Sequence, residues 1–174
     1  MGYDLFIQQF NLICQEHLRD GRARAFAFVF YDMTNGVVRR ALSEAHGFRL
    51  LHEKTGSDIT LFYLHDRALE SHYRNFNTAF MAALGVEDQV APPCMVFFRV
   101  SGEQIEDVSI YNIDERSEDP VLVAAELEQY VEEAKKAVNA EGDVSGLCSL
   151  GKTIGPIASL AKLGEFLMRL KGAA

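Results

Sequence analysis

Two short apolar runs, residues 25–31 and 59–64, constrain the fold of this chain more than any other feature. Uninterrupted apolar runs of this length, bounded by turn residues, are typical of strands buried on both faces, as in a parallel sheet covered by helices. Between the two runs, apolar residues recur at helical spacing from about 37 to 53. A strand, a helix and a second strand in this order predict an α/β fold whose first two strands are parallel.

The remaining segments continue this alternation. Ser101-Gly102 separates two apolar stretches, which is typical of a β-hairpin. Asp119-Pro120 has the chemistry of a helix N-terminus, with an acidic cap and a proline in the first turn. The predicted order is α-β-α-β-α-β-β-α, with further helices over 4–18, 69–84 and about 120–138 and hairpin strands over 94–100 and 105–111.

Charge and cysteine content exclude several classes of function. The chain has a net charge of -8, whereas a nucleic-acid interface needs a basic face. No apolar run approaches the roughly 20 residues of a transmembrane helix. The cysteines, Cys14, Cys94 and Cys148, are too few and too scattered for a disulfide framework, and no two have C-x-x-C spacing. We therefore expect free thiols and a cytoplasmic location.

Neither a metal nor a cofactor is predicted. The five histidines lack the H-x-x-x-H spacing of a zinc site. Residues 146–153 match the Walker A pattern formally, but no buried strand precedes them. The 21 residues that follow are too few to complete a nucleotide-binding fold.

The order of elements, together with the segment Pro93-Cys-Met-Val-Phe-Phe98 and the hairpin that follows it, resembles the thioredoxin-like superfamily. The resemblance covers about residues 3–138. It implies a three-layer α/β/α fold with a mixed sheet and a cis-proline at position 93. It also implies that Asn35 and Val38 occupy the positions of the family's two redox cysteines, so the dithiol mechanism is absent.

The resemblance implies a binding groove beside this lost site. In the family, the residue before the cis-proline pairs through its backbone with an extended peptide or glutathione. Here that residue is Pro92, which has no N–H to donate. The leading hypothesis is a redox-inactive module that binds a protein partner, and the alternative is an enzyme using Cys94 as a single thiol. The groove would comprise Thr34, Asn35, Gly36, Pro92, Pro93 and Cys94.

The C-terminal segment differs from the rest of the chain in charge. We divide the sequence into a domain, 1–140, and a linker with a helical extension, 141–174. Residues 151–174 carry a net charge of +3, and their apolar residues recur at helical spacing. This pattern predicts an amphipathic helix that binds a protein partner or a second copy of the chain. Peripheral membrane binding through residues 151–171 is the other interpretation. The predicted contact residues are Ile157, Leu160, Leu163, Leu167 and Leu170.

Overall fold

The computed structural model describes residues 16, 25–32, 34–44, 46–56, 58–63, 77–78, 80–82, 84–101, 104–114, 116, 118–139, 153–154 and 158–159. In chain order, the elements are β1 (Ala25–Phe30), α1 (Gly36–Ser43), α2 (Gly47–Thr55), β2 (Ile59–Tyr63), β3 (Cys94–Ser101), β4 (Gln104–Asn112), α3 (Pro120–Asn139), β5 (Thr153–Ile154) and β6 (Ala158–Ser159).

The main strands form one mixed sheet in the order β2-β1-β3-β4. Strands β1 and β2 are parallel, with Ala27 opposite Leu61. Strand β3 runs antiparallel to β1 and β4 antiparallel to β3. The two short strands β5 and β6 both pair with β4. This topology confirms the predicted α/β class, with a parallel pair first and a hairpin last.

Strand β1 is buried on both faces, as its apolar sequence predicts. Its alternate residues Ala25, Ala27 and Val29 belong to the core cluster that also contains the apolar faces of α1, α2 and α3. The other residues, Phe26, Phe28 and Phe30, are also fully buried. They contact further phenylalanine rings, with centroid distances of 5.5 Å from Phe26 to Phe98 and 4.8 Å from Phe28 to Phe80.

Helix α3 is held against α2 by two reciprocal lysine contacts as well as by apolar packing. The Lys135 ammonium donates a hydrogen bond to the backbone carbonyl of Lys54, at 2.9 Å, and so satisfies a carbonyl in the last turn of α2. The Lys54 ammonium lies 3.0 Å from Glu128 and 3.5 Å from Glu132 on α3. These carboxylates raise the pKa of Lys54 through a hydrogen bond and charge attraction.

Helix α3 begins where the sequence predicts. The Asp119 carboxylate accepts a hydrogen bond from the Val121 N–H at 2.8 Å, and the Asp119 carbonyl accepts one from Val123 at 3.2 Å. The side chain thus caps one of the N–H groups that a helix start leaves without a partner. Among the described residues, every helix is too short or too polar to cross a membrane.

The prediction of one helix from 37 to 53 is wrong. The structure has two helices there, and His46 between them adopts a left-handed conformation with φ 54 and ψ 19. Gly47 then passes so close to α1 that a Cβ atom on it would lie 2.5 Å from the Ala41 carbonyl oxygen. Helical periodicity continues across the break because both helices pack on the same core, so spacing alone does not reveal the turn.

Within the predicted C-terminal extension, 141–174, four described positions are strand residues and not helical. Residues 153–154 and 158–159 are strands paired with β4, which gives their backbone groups partners in the sheet. The remainder of that extension lies outside the described residues, as does most of the predicted helix 4–18. The predicted helix 69–84 is helical at its described positions, 77–78, 80–82 and 84.

Candidate functional site

The turn between β1 and α1 is closed by hydrogen bonds within itself. The Asp32 N–H donates to the Asn35 side-chain oxygen at 2.8 Å, and the Thr34 N–H donates to the Asp32 carboxylate at 2.7 Å. The Gly36 N–H donates to the Thr34 carbonyl at 2.9 Å. Asn35 is the N-cap residue of α1, yet its side chain makes no capping bond to the helix. Its amide oxygen shapes the turn instead, which is a common use of Asn in loops.

The two positions that the resemblance assigns to redox cysteines lie on this turn and helix. Asn35 is 5% exposed at the start of α1, and Val38 is fully buried in its first turn. Neither side chain is a nucleophile. The start of α1 therefore holds no side chain that could act as a redox thiol at the two positions the resemblance assigns.

Pro92, Pro93 and Cys94 lie beside this turn because β1 and β3 are antiparallel neighbours. Phe30, the last residue of β1, is opposite Cys94, the first residue of β3. The Pro92–Pro93 peptide bond is cis. The Pro93 carbonyl accepts a hydrogen bond from the Ile113 N–H at 3.1 Å, so it is engaged within the fold.

The structure thus places the six predicted groove residues at one end of the sheet, but not all of them at its surface. Thr34 is exposed, and Gly36 and Pro92 are half-buried. Asn35, Pro93 and Cys94 are buried. Among the described residues, a Cβ atom added to Gly36 would meet nothing within 4 Å, so they leave space above this glycine.

Cys94 has no exposed surface and is a free thiol. Burial raises its pKa from 9.0 to about 12, because the apolar surroundings disfavour the thiolate. Since the thiolate is the reactive form, burial removes both access and reactivity from this side chain.

The structure adds a residue that the sequence interpretation missed. The Asn77 side-chain amide donates a hydrogen bond to the Tyr31 carbonyl at 2.8 Å, and both residues are buried. Burial and, to a smaller extent, the charge of Tyr63 raise the pKa of Tyr31. The positive charge of Arg39 partly opposes this rise. The sequence does contain a signal for this contact. Asn77 is a polar residue on an apolar helix face, three positions before Phe80 and seven before Leu84.

A second set of buried polar groups lies on β4 and α3. Among the described residues, Ser109 Oγ, Tyr111 Oη and Glu133 Oε2 are buried without a hydrogen-bond partner. Tyr111 packs against Tyr130, with ring centroids 4.3 Å apart, and the Tyr130 hydroxyl donates to Glu126. Burial and the Glu133 charge both raise the pKa of Tyr111, so its hydroxyl stays protonated.

Within the described part of the chain, no three His, Cys, Asp or Glu side chains are grouped so that they could hold a metal ion. The predicted tail contacts Ile157, Leu160, Leu163, Leu167 and Leu170 lie outside the described residues.

Comparisons with known proteins identify no relative of this chain. No protein-family model matches it, and neither the curated proteins nor the solved structures include a significant match.

Proposed function

We propose that this chain is a thioredoxin-like domain that has no thiol chemistry and binds a protein partner beside the position of the lost dithiol. The strand order β2-β1-β3-β4 supports the fold assignment, because a parallel pair extended by an antiparallel hairpin is the arrangement that the resemblance implies. The helices α1, α2 and α3, which share one core cluster on one face of the sheet, agree with a layered fold.

The observation that carries the functional proposal is the absence of an accessible thiol among the described residues at the end of β1. The two positions that need thiols hold Asn35 and Val38, and Cys94 alongside them is fully buried with a raised pKa. An intact turn without a nucleophile supports binding rather than catalysis. The single-thiol alternative is not favoured, because Cys94 offers no surface to a substrate.

The exposed part of the groove suggests how a partner binds. Thr34, Gly36 and Pro92 are its accessible residues, and the space above Gly36 leaves room for a side chain. Pro92 has no N–H, so a bound segment cannot form the two-bond backbone pair of a sheet at this residue. We therefore propose recognition through side-chain contacts of an extended protein segment.

A pair of matched variants tests this proposal. Random dodecapeptides displayed on phage are selected against the immobilised full chain, and the affinities of enriched peptides are measured by calorimetry. Gly36→Trp fills the space above the groove, whereas Ala125→Trp adds the same side chain at an exposed position of α3. We expect Gly36→Trp to weaken binding at least tenfold and Ala125→Trp to leave it unchanged. Equal affinities for both variants would contradict the groove assignment.

A further inference from the structure

The chain contains a single Asn-Gly pair, Asn35-Gly36, and the pair lies at the start of α1. An asparagine side-chain amide can react with the backbone nitrogen of the next residue. Glycine favours this reaction most, because it has no Cβ to shield its nitrogen or to restrict its backbone. The other asparagines, at positions 11, 75, 77, 112 and 139, all precede larger residues. Asn35 is therefore the asparagine whose sequence context most favours deamidation.

Deamidation of Asn35 proceeds through a five-membered ring. The Gly36 nitrogen forms a bond to Asn35 Cγ and the Cγ–Nδ2 bond breaks. Nδ2 leaves as ammonia, with the proton that the Gly36 nitrogen loses. Water then opens the ring at either of its two carbonyl carbons. One product is aspartate, and the other is isoaspartate, in which the backbone runs through Cβ and Cγ.

The folded turn holds the two reacting atoms apart. Ring closure needs the Gly36 nitrogen and the Asn35 Cβ nearly eclipsed about the Asn35 Cα–C bond, whereas the observed ψ of 60 places them on opposite sides of it. Helix α1 maintains this ψ, because the Asn35 carbonyl accepts a hydrogen bond from the Arg39 N–H at 3.0 Å. Attack requires near contact in the correct orientation, so the ring cannot close in this conformation.

Hydrogen bonds also engage both reacting groups. The Gly36 N–H donates to the Thr34 carbonyl at 2.9 Å, so the nitrogen keeps the proton that it loses in the reaction. Asn35 Oδ1 accepts a hydrogen bond from the Asp32 N–H at 2.8 Å, which holds the side-chain amide in place. Asn35 is only 5% exposed, so water has little access to it. Reaction therefore requires local opening of the turn.

We propose that Asn35-Gly36 is a deamidation site that is inactive in the folded chain and reacts when the turn between β1 and α1 opens. The isoaspartate product adds one carbon to the backbone between these elements, so the original turn cannot re-form. An opening event that leads to reaction is thus recorded covalently. This inference concerns the chemistry of the turn and does not rest on the proposed function.

Comparing the folded and unfolded full chain tests the proposal. Deamidation at each asparagine is measured by peptide mapping with mass spectrometry, in one mildly alkaline buffer with and without guanidinium chloride. Gly36→Ala is the matched variant, because its methyl group hinders attack by the residue 36 nitrogen. Among the described residues, that methyl group would meet nothing within 4 Å, so the fold should tolerate it. Asn139, which precedes alanine, is the control within the same chain.

We expect Asn35 in the unfolded parent to deamidate at least tenfold faster than Asn35 in the folded parent. It should also react at least tenfold faster than Asn139 and than Asn35 in unfolded Gly36→Ala. A difference below tenfold between the folded and unfolded parent would overturn the proposal, because the turn would not restrain the reaction. A difference below tenfold in either control comparison would overturn it as well, because the Gly36 nitrogen would not be the favoured nucleophile.

Discussion

The Asn77 amide donates a 2.8 Å hydrogen bond to the backbone carbonyl of Tyr31, across 46 residues of chain. Tyr31 directly follows β1, so its carbonyl lies where the chain leaves the sheet. Both residues are buried, and the contact fixes the helical residues around Asn77 to the start of the Asp32–Gly36 turn. The geometry of the proposed groove thus depends on a side chain from a distant helix.

Removing this bond should destabilise the fold. Asn77→Ala removes the buried hydrogen bond to the Tyr31 carbonyl, which should cost about 1–3 kcal/mol. Thr78 is exposed, so Thr78→Ala is the matched control and should change stability by less than about 0.5 kcal/mol. Urea unfolding followed by circular dichroism gives both values. Equal midpoints for the two variants would show that the Asn77 contact does not support the turn.

The break between α1 and α2 predicts opposite effects for two adjacent substitutions. Gly47→Ala places a methyl group 2.5 Å from the Ala41 carbonyl oxygen and should cost about 1–3 kcal/mol. His46→Gly relieves the left-handed conformation at φ 54 and should stabilise by up to about 1 kcal/mol. Thermal unfolding measures the two changes. A Gly47→Ala chain as stable as the parent would mean that Gly47 does not approach the Ala41 carbonyl this closely.

The buried hydroxyl of Tyr111 makes another pair of variants informative. Tyr111 is 1% exposed, and its hydroxyl has no partner among the described residues, so Tyr111→Phe should be neutral or stabilising by up to about 1 kcal/mol. The Tyr130 hydroxyl donates to Glu126, so Tyr130→Phe should destabilise by about 0.5–1.5 kcal/mol. The free energy of unfolding in urea separates the two. A loss of stability in Tyr111→Phe would reveal a partner for its hydroxyl.

Cys94 should resist alkylation while the chain is folded. With a pKa of about 12, fewer than about one thiol in a thousand is ionised at pH 8.5, where an ordinary thiol is about half ionised. The raised pKa also means that the stability contributed by the neutral thiol is complete below about pH 8.5 and declines as pH rises towards 12. Iodoacetamide labelling of a Cys14→Ser, Cys148→Ser chain, native and urea-unfolded, measures this. Equal labelling rates in both states would contradict the burial of Cys94.

The sequence predicts those parts of the fold that local chemistry determines. The apolar run of β1 indicates burial on both faces, and Asp119-Pro120 marks the start of α3. The α1–α2 break escapes prediction because His46, rather than a glycine, makes the left-handed turn while the core-facing periodicity continues. The strands at 153–154 and 158–159 escape because their pairing depends on a distant edge, β4, rather than on their own alternation.

The candidate site, like the fold, could be predicted only in part from the sequence. The antiparallel pairing of Phe30 with Cys94 brings the two predicted parts of the groove to one end of the sheet. Sequence spacing does not predict which of these residues is buried, because burial depends on the layers packed around the sheet. For the same reason, the contact between Asn77 and Tyr31 follows from packing and not from a motif.

Restoring the dithiol tests the central claim most directly. Asn35→Cys with Val38→Cys places two thiols one helical turn apart at the start of α1, within the Cα separation that a disulfide spans. The assay is reduction of insulin disulfides with dithiothreitol as the electron donor, which returns the chain to its dithiol form after each exchange, and the rate without protein is subtracted. Each single variant is a control, and mass spectrometry of the oxidised chain locates the new disulfide. We predict an inactive parent and a double variant that forms the 35–38 disulfide and reduces insulin. A parent that reduces insulin, or a folded double variant that forms no such disulfide, would contradict a thioredoxin-like scaffold without thiol chemistry.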